Sequence, residues 1–156
     1  AEPRRVAIHP TSSTPSRTWS LPKFIKVAYW LKKQGYHPLF CLSTQERRSL
    51  ESELPPWLEV PKISSLDELA SVIASSRFVI GNESGIVHLA SNLDIPFLVI
   101  AGNEKRIRQW QPGWKIGTIA TPPKWIPNIK GLRWRENKWQ RFISVSCIKY
   151  YFKINI

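Results

Sequence analysis

Apolar positions in this chain come in short runs separated by amphipathic stretches. Arg5-Val6-Ala7-Ile8-His9 reads as a brief buried strand that stops at Pro10. The hydroxyl-rich segment from Thr11 to Arg17 has no period and reads as a loop. Between Leu21 and Gln34, Phe24, Val27, Ala28 and Leu31 share one helical face, with Pro22 suited to the first turn and Gly35 to the stop. Pro38 to Leu42 is a second strand. Thr44 to Leu50 begins a charged helix with Thr44 as its expected cap, and Pro55, Pro56 and Pro61 limit it around a short segment at 58–60. From Ser65 to Ser75 the pattern is a well-marked helix, with Ser65 as cap, Glu68 three residues on, and Leu66, Leu69, Ala70 and Ile73 on its apolar face. Phe78 to Ile80 is a strand, Ser84 to Asn92 a helix, and Pro96 to Ile100 another strand. Beyond Trp110 the pattern degrades into Trp, Pro and basic residues, until Asn137 to Phe152 reads as one amphipathic helix.

Uniformly apolar strands alternating with helices across short links are the signature of a parallel sheet covered on both faces. The expected fold is therefore α/β, a Rossmann-like doubly wound parallel sheet over residues 4–120. Residues 121–156 form a basic, Trp-rich extension whose terminal helix packs on that domain or on a partner domain.

Composition adds limits. A chain of 156 residues suits one domain with a real core and is cramped for two. With 42% hydrophobic residues, wholesale disorder and the collagen-like and coiled-coil classes are excluded. Two isolated cysteines, Cys41 and Cys147, build neither a disulfide framework nor a zinc cluster, so buried thiols in a reducing compartment, and no bound metal, are expected. No apolar run reaches the roughly 18 to 20 residues needed to span a bilayer, and the opening residues do not read as a signal peptide.

Net charge near +12 raises nucleic acid, anionic membrane or anionic substrate as partners. Its distribution matters more than its sum. Residues 104–156 hold 12 of the 23 Lys and Arg against Glu104 and Glu136, leaving a near-neutral body of 103 residues.

Chemistry in an open parallel sheet gathers at the carboxyl ends of its strands. Three loops meet that condition: His9-Pro10-Thr11-Ser12-Ser13 running on to Arg17, Gly81-Asn82-Glu83-Ser84-Gly85 leading to His88, and Ala101-Gly102-Asn103-Glu104-Lys105-Arg106. Gly85 in the first helical turn lets a ligand approach the backbone, where N–H groups favour phosphate oxygens. Ser84 adds a hydroxyl, Glu83 suits sugar hydroxyls, and His88 shares the helical face of Ser84 and Gly85. Asn-x-Ser-Gly before a helix is equally the pattern of a plain capping turn, and hydroxyl-rich loops are commonly just solvated. The convergence of three such loops on one edge is what favours binding.

Four pieces together resemble the bacterial heptosyltransferase-type enzymes of glycosyltransferase family 9. They are Ile8-His9-Pro10-Thr11-Ser12-Ser13 with Arg17-Thr18-Trp19; Leu42 to Arg47; Ser65 to Ala70; and Gly81 to Ala90. Ile95-Pro96 and Trp110-Gln111-Pro112-Gly113-Trp114 are also similar. The resemblance implies the C-terminal, donor-binding half of a GT-B glycosyltransferase. It implies donor contacts from Glu83, Ser84, Gly85 and His88, a diphosphate contact from Arg17 and a nucleoside contact from Glu46. Thr11, Ser12, Ser13 and Asn82 complete the candidate donor-binding set. The family's usual Asp is Glu83 here, which moves the carboxylate by about 1 Å. The donor implied is a nucleotide-diphosphate sugar, ADP-heptose, used for cell-envelope lipopolysaccharide without cofactor or obligatory metal. The acceptor site and general base are expected on an N-terminal domain missing from this chain. The implied location is cytoplasmic, at the inner face of the bacterial inner membrane.

In the basic region Trp110, Trp114, Trp125, Trp134 and Trp139 interleave with Lys and Arg. That mixture suits an anionic bilayer, an anionic glycolipid or a partner domain, and single-stranded nucleic acid less, since no nucleic-acid motif accompanies it. A non-catalytic basic module binding nucleic acid or anionic membrane is thus the rival reading, together with a family member that has lost catalysis.

Overall fold

The computed structural model describes residues 2–109 and 117–156. Five parallel strands form one sheet in the order β2-β1-β3-β4-β5. They are β1 (Arg5–His9), β2 (His37–Phe40), β3 (Phe78–Asn82), β4 (Phe97–Ile100) and β5 (Gly117–Ala120). The links carry α1 (Leu21–Lys33), α2 (Thr44–Leu50), α3 (Leu66–Ala74), α4 (Gly85–Asn92) and α5 (Glu104–Gln109). After β5 come a hairpin of β6 (Asn128–Ile129) and β7 (Leu132–Arg133), two single turns α6 (Trp134–Asn137) and α7 (Trp139–Phe142), and α8 (Val145–Ile154).

Alternation along the strands sorts the core into two layers. Val6, Ile8, Phe40, Phe78, Ile80, Leu98 and Ile100 meet Phe24, Val27 and Leu31 of α1 with Ile148 and Phe152 of α8. On the other face Ala7, Leu39, Val79 and Val99 meet Ile73 of α3, Ile86, Val87 and Ala90 of α4, and Ile107 of α5. This is a doubly wound, Rossmann-like sheet. Burial of apolar side chains on each side supplies its main stabilisation.

Most helix limits follow local chemistry. Ser65 accepts from the Glu68 N–H at the start of α3, and Gly35 takes φ 81° just after α1 ends. The cap of α2 is Ser43 rather than Thr44. Its hydroxyl accepts from the Glu46 N–H while the Glu46 carboxylate accepts from the Ser43 N–H, a reciprocal pair that a cap at Thr44 would forgo. The helix expected from Asn137 to Phe152 is instead broken twice. Lys138 leaves helical geometry, and Ile143 turns extended to bury its side chain, after which Ser144 caps α8 by accepting from the Cys147 N–H. Unanticipated elements include α5, whose first residues Glu104 to Arg106 read as loop, together with β5 and the β6–β7 hairpin, each too short to show a period. Trp110 to Trp114 lies outside the described residues.

The C-terminal helix is part of the core. Phe152 is 1% exposed and packs edge-to-face on Phe78 at 5.2 Å, Tyr36 at 5.2 Å and Trp30 at 5.8 Å. Burial pushes the Cys41 thiol up to about 12 and raises that of Cys147, so neither is a thiolate at neutral pH.

Phe152→Ala should cost about 3–5 kcal/mol of unfolding free energy, read from urea titration. Tyr150→Ala, at a largely exposed position of the same helix, should change it by no more than about 0.5 kcal/mol.

Candidate functional site

Strand order reverses at β1, which has β2 on one side and β3 on the other, so the loops leaving β1 and β3 turn to opposite faces and open a crevice. Two depressions lie there, one reaching Gly85 at the start of α4 and the other Glu83 just before it. The larger is a cleft of about 600 Å³ with an apolar wall of Ile63, Leu66, Leu69, Ile86 and Leu89. Its polar contributors include His9, Ser43, Glu46 and the backbone at Gly85. The smaller, about 260 Å³, is bordered by Arg17, Glu83, Asn103, Arg106 and Trp139.

A buried amide holds these loops together. Asn82 is fully buried at the end of β3, where its Oδ1 accepts from the Trp19 N–H at 2.8 Å and its Nδ2 donates to the Thr11 carbonyl at 3.3 Å. Its side chain therefore fastens the β1 loop and lies behind the cleft surface. Trp139 reinforces that loop from the C-terminal region by donating to the Ser16 carbonyl at 2.9 Å, and its ring lies so close to Gly102 that a Cβ there would meet it at 2.7 Å.

A chain of hydrogen bonds crosses the crevice floor. The Thr11 hydroxyl donates to Glu46 Oε1 at 2.5 Å, which leaves Thr11 Oγ1 to accept from His9 Nε2 at 3.1 Å. His9 Nδ1 is then the acceptor for the Ser84 hydroxyl, also at 3.1 Å. One imidazole tautomer thus links the start of α4 to the carboxylate beyond β2. Burial holds the His9 pKa below its ordinary value despite the nearby Glu46 carboxylate and the Thr11 backbone. Glu46 moves down too: burial opposes its ionisation, but hydrogen bonds from Thr11 and Ser43, with His9 close by, outweigh it.

Ser84 is the N-cap of α4, yet its side chain makes no capping bond because the hydroxyl is turned to His9. The helix therefore begins with backbone N–H groups that no side chain covers. At Gly85 a Cβ would meet nothing within 4 Å, so this backbone faces open space. An oxyanion placed there meets backbone donors and the positive end of the helix.

Beyond Gly85, Glu83 is clamped by Arg106, whose Nη2 lies 2.7 Å from Oε2 and Nε 3.2 Å from Oε1. Arg17 is exposed across the same depression. Ser12 bonds Thr18 Oγ1 and the Thr14 carbonyl within its own loop, Ser13 is exposed, and His88 is half-buried one turn into α4, away from the lining of the larger cleft. Of the candidates, Glu46 and Gly85 line that cleft, Thr11 and Ser84 are tied to it by hydrogen bonds to Glu46 and His9, and Arg17 and Glu83 border the smaller depression. Three participants were not in the candidate set. His9 carried a signal as the last residue of β1, and Arg106 stood in the third loop. The wall from Ile63, Leu66 and Leu69 carried none, because Leu66 and Leu69 read as ordinary helix-face residues.

No helix among the described residues is long and apolar enough to cross a membrane, and no three His, Cys, Asp or Glu among them are grouped to hold a metal ion.

A crevice at the strand reversal is common to doubly wound sheets, and solved structures place this one with the Rossmann-like domains of GT-B glycosyltransferases. The E. coli heptosyltransferase WaaC with ADP-2-deoxy-2-fluoro heptose superposes with a TM-score of 0.76 at 17% identity, over 99% of this chain and 44% of its own. E. coli ADP-heptose LPS heptosyltransferase II gives 0.74 at 16% identity, over 99% of this chain and 46% of its own. The glycosyl transferase family 9 protein of Veillonella parvula gives 0.74 at 16%, over 96% and 45%. The chain spans less than half the length of these proteins. Comparison with curated proteins returned no match. The chain belongs to glycosyltransferase family 9 (heptosyltransferase), whose family model matches residues 1–117.

Acid should weaken the fold through His9 first. The unfolded chain protonates its histidines near pH 6.5, whereas native His9 resists, so stability should fall as pH drops below about 6.5. Glu46 adds a second loss below its ordinary value of about 4.3, as pH falls toward its lowered native pKa. Urea midpoints between pH 7.5 and 5 should slope less in His9→Gln than in the parent chain; an equal slope would assign the loss to other groups.

Proposed function

We propose that this chain is the C-terminal, donor-binding half of a family 9 glycosyltransferase and that it holds a nucleotide-diphosphate sugar, ADP-heptose, for lipopolysaccharide assembly. One observation carries the reading: an apolar cleft of nucleoside size, with Glu46 fixed in it, opens onto the uncovered start of α4 at Gly85.

In this arrangement the base lies between Ile63, Leu66 and Leu69 on one side and Ile86 and Leu89 on the other. Glu46, kept ionised by its donors, accepts from ribose hydroxyls. The diphosphate lies over Gly85, and the sugar extends toward Glu83. Transfer needs the departing nucleotide diphosphate to be stabilised, a role for the backbone N–H groups of α4 and the Arg17 guanidinium. Glu83 is longer than the Asp usual at this position, and the Arg106 fork fixes where its carboxylate ends. The general base that deprotonates the acceptor is assigned to an N-terminal half outside this chain, as is the acceptor site. The division into residues 4–120 as nucleotide-sugar domain and 121–156 as extension belongs to the same proposal. Support comes from the family match and from the E. coli structure holding an ADP-heptose analogue.

Calorimetry with ADP, UDP and an ADP-sugar tests the reading. ADP should bind, and Arg17→Ala should weaken it about tenfold or more through loss of a charge-assisted contact. Gly85→Val should weaken it at least as much while leaving the thermal midpoint close to the parent, because a Cβ at this position meets no protein atom within 4 Å and the side chain grows into the space assigned to the ligand. Binding of none of the three nucleotides, or full affinity in Gly85→Val, would sink the assignment.

A further inference from the structure

The segment from Lys124 to Lys138 is unlike the rest of the surface. Trp125 is 79% exposed, Ile129 65%, Trp134 47% and Leu132 42%, so four large apolar side chains face solvent within ten residues. Lys124, Lys130, Arg133, Arg135 and Lys138 accompany them, against Glu136 alone. An exposed apolar cluster of this kind marks a contact surface.

The cluster is held in shape. β6 and β7 pair antiparallel through a turn at Lys130-Gly131, where Gly131 takes φ 89°. Arg135 braces the base by donating to the Lys124 carbonyl at 3.0 Å, and its backbone N–H donates to the Pro127 carbonyl. Asn128 donates to Glu136 at 3.1 Å, and Arg133 lies 3.7 Å from the same carboxylate. The Glu136 carboxylate, on α6, is thereby engaged by Asn128 and Arg133 of the hairpin, leaving Lys124, Lys130 and Lys138 without an acidic partner on the segment.

We propose that this hairpin docks the protein on an anionic lipid bilayer. Charge complementarity selects the occupant. Lysines are depleted from protein interfaces, whereas tryptophan rings beside lysine and arginine heads match a bilayer surface, with rings at headgroup depth and cations among lipid phosphates. The hairpin follows β5, whose carboxyl end lies on the edge of the sheet that carries the cleft, so docking brings that edge toward the lipid. The proposal is independent of the nucleotide reading. It also differs from the lysine-bearing face of α1 and α8, where Lys33 lies 5.4 Å from the Tyr29 ring centroid and Lys149 5.6 Å from that of Trp30.

Co-sedimentation of the 156-residue chain with phosphatidylcholine vesicles, with and without phosphatidylglycerol, is the test. Anionic vesicles should pellet the chain, neutral ones should not, and rising salt should release it. Lys124→Glu with Lys130→Glu should weaken partition about tenfold or more, and Trp125→Ser should weaken it at unchanged charge. Thermal melts and ADP calorimetry should be unmoved in these exposed-site variants, separating a failure here from a failure of the donor-site reading. Lys33→Glu with Lys149→Glu should have the smaller effect. Partition unaffected by the hairpin variants, equal binding to neutral vesicles, or capture of single-stranded DNA with anionic vesicles left free would overturn the proposal.

Discussion

A parallel sheet carries apolar side chains on both faces, and neither face can be left to water. Here that constraint recruits helices from distant parts of the chain. α3, α4 and α5 close one face, while the other needs α1 and, from the far end of the chain, α8 with Phe152 against Phe78. Once both faces are covered, the strand ends remain as the place where polar backbone reaches solvent, and the reversal of strand order at β1 opens a crevice there. The position of the site is thus a consequence of how the sheet is buried.

Within the crevice the polar groups are organised before any ligand arrives. Asn82 spends both ends of its buried amide on the β1 loop. His9 draws the Ser84 hydroxyl away from the helix it would otherwise cap, so the start of α4 is left with open backbone donors. The same imidazole, through Thr11, steadies Glu46 on the opposite side. Such pre-placement is what would lower the ordering cost of a ligand in the proposed donor site.

The basic region divides into two kinds of residue once it is folded. Trp139 and Ile143 are core and loop anchors, buried and bonded to Ser16 and Trp19. Trp125 and Trp134 stand outside on the hairpin. Composition could not separate them, because the same Trp-and-Arg mixture serves a core, a loop clamp and an exposed surface.

By itself the sequence determined the class of fold and the edge on which chemistry gathers. Strands at Arg5, Phe78 and Phe97 and helices α1, α3 and α4 are written in periodicity, serine caps and glycine stops, all of which act within a few residues. The loops carrying Thr11, Arg17, Glu83, Ser84 and Gly85 were legible for the same reason. What only the tertiary structure decided lies between residues far apart in the chain. The Glu83–Arg106 clamp spans 23 residues, Thr11–Glu46 spans 35, His9–Ser84 spans 75 and Trp139–Ser16 spans 123. Side chains at such separations leave no local pattern. They meet because burying both faces of the sheet leaves the chain few other ways to run.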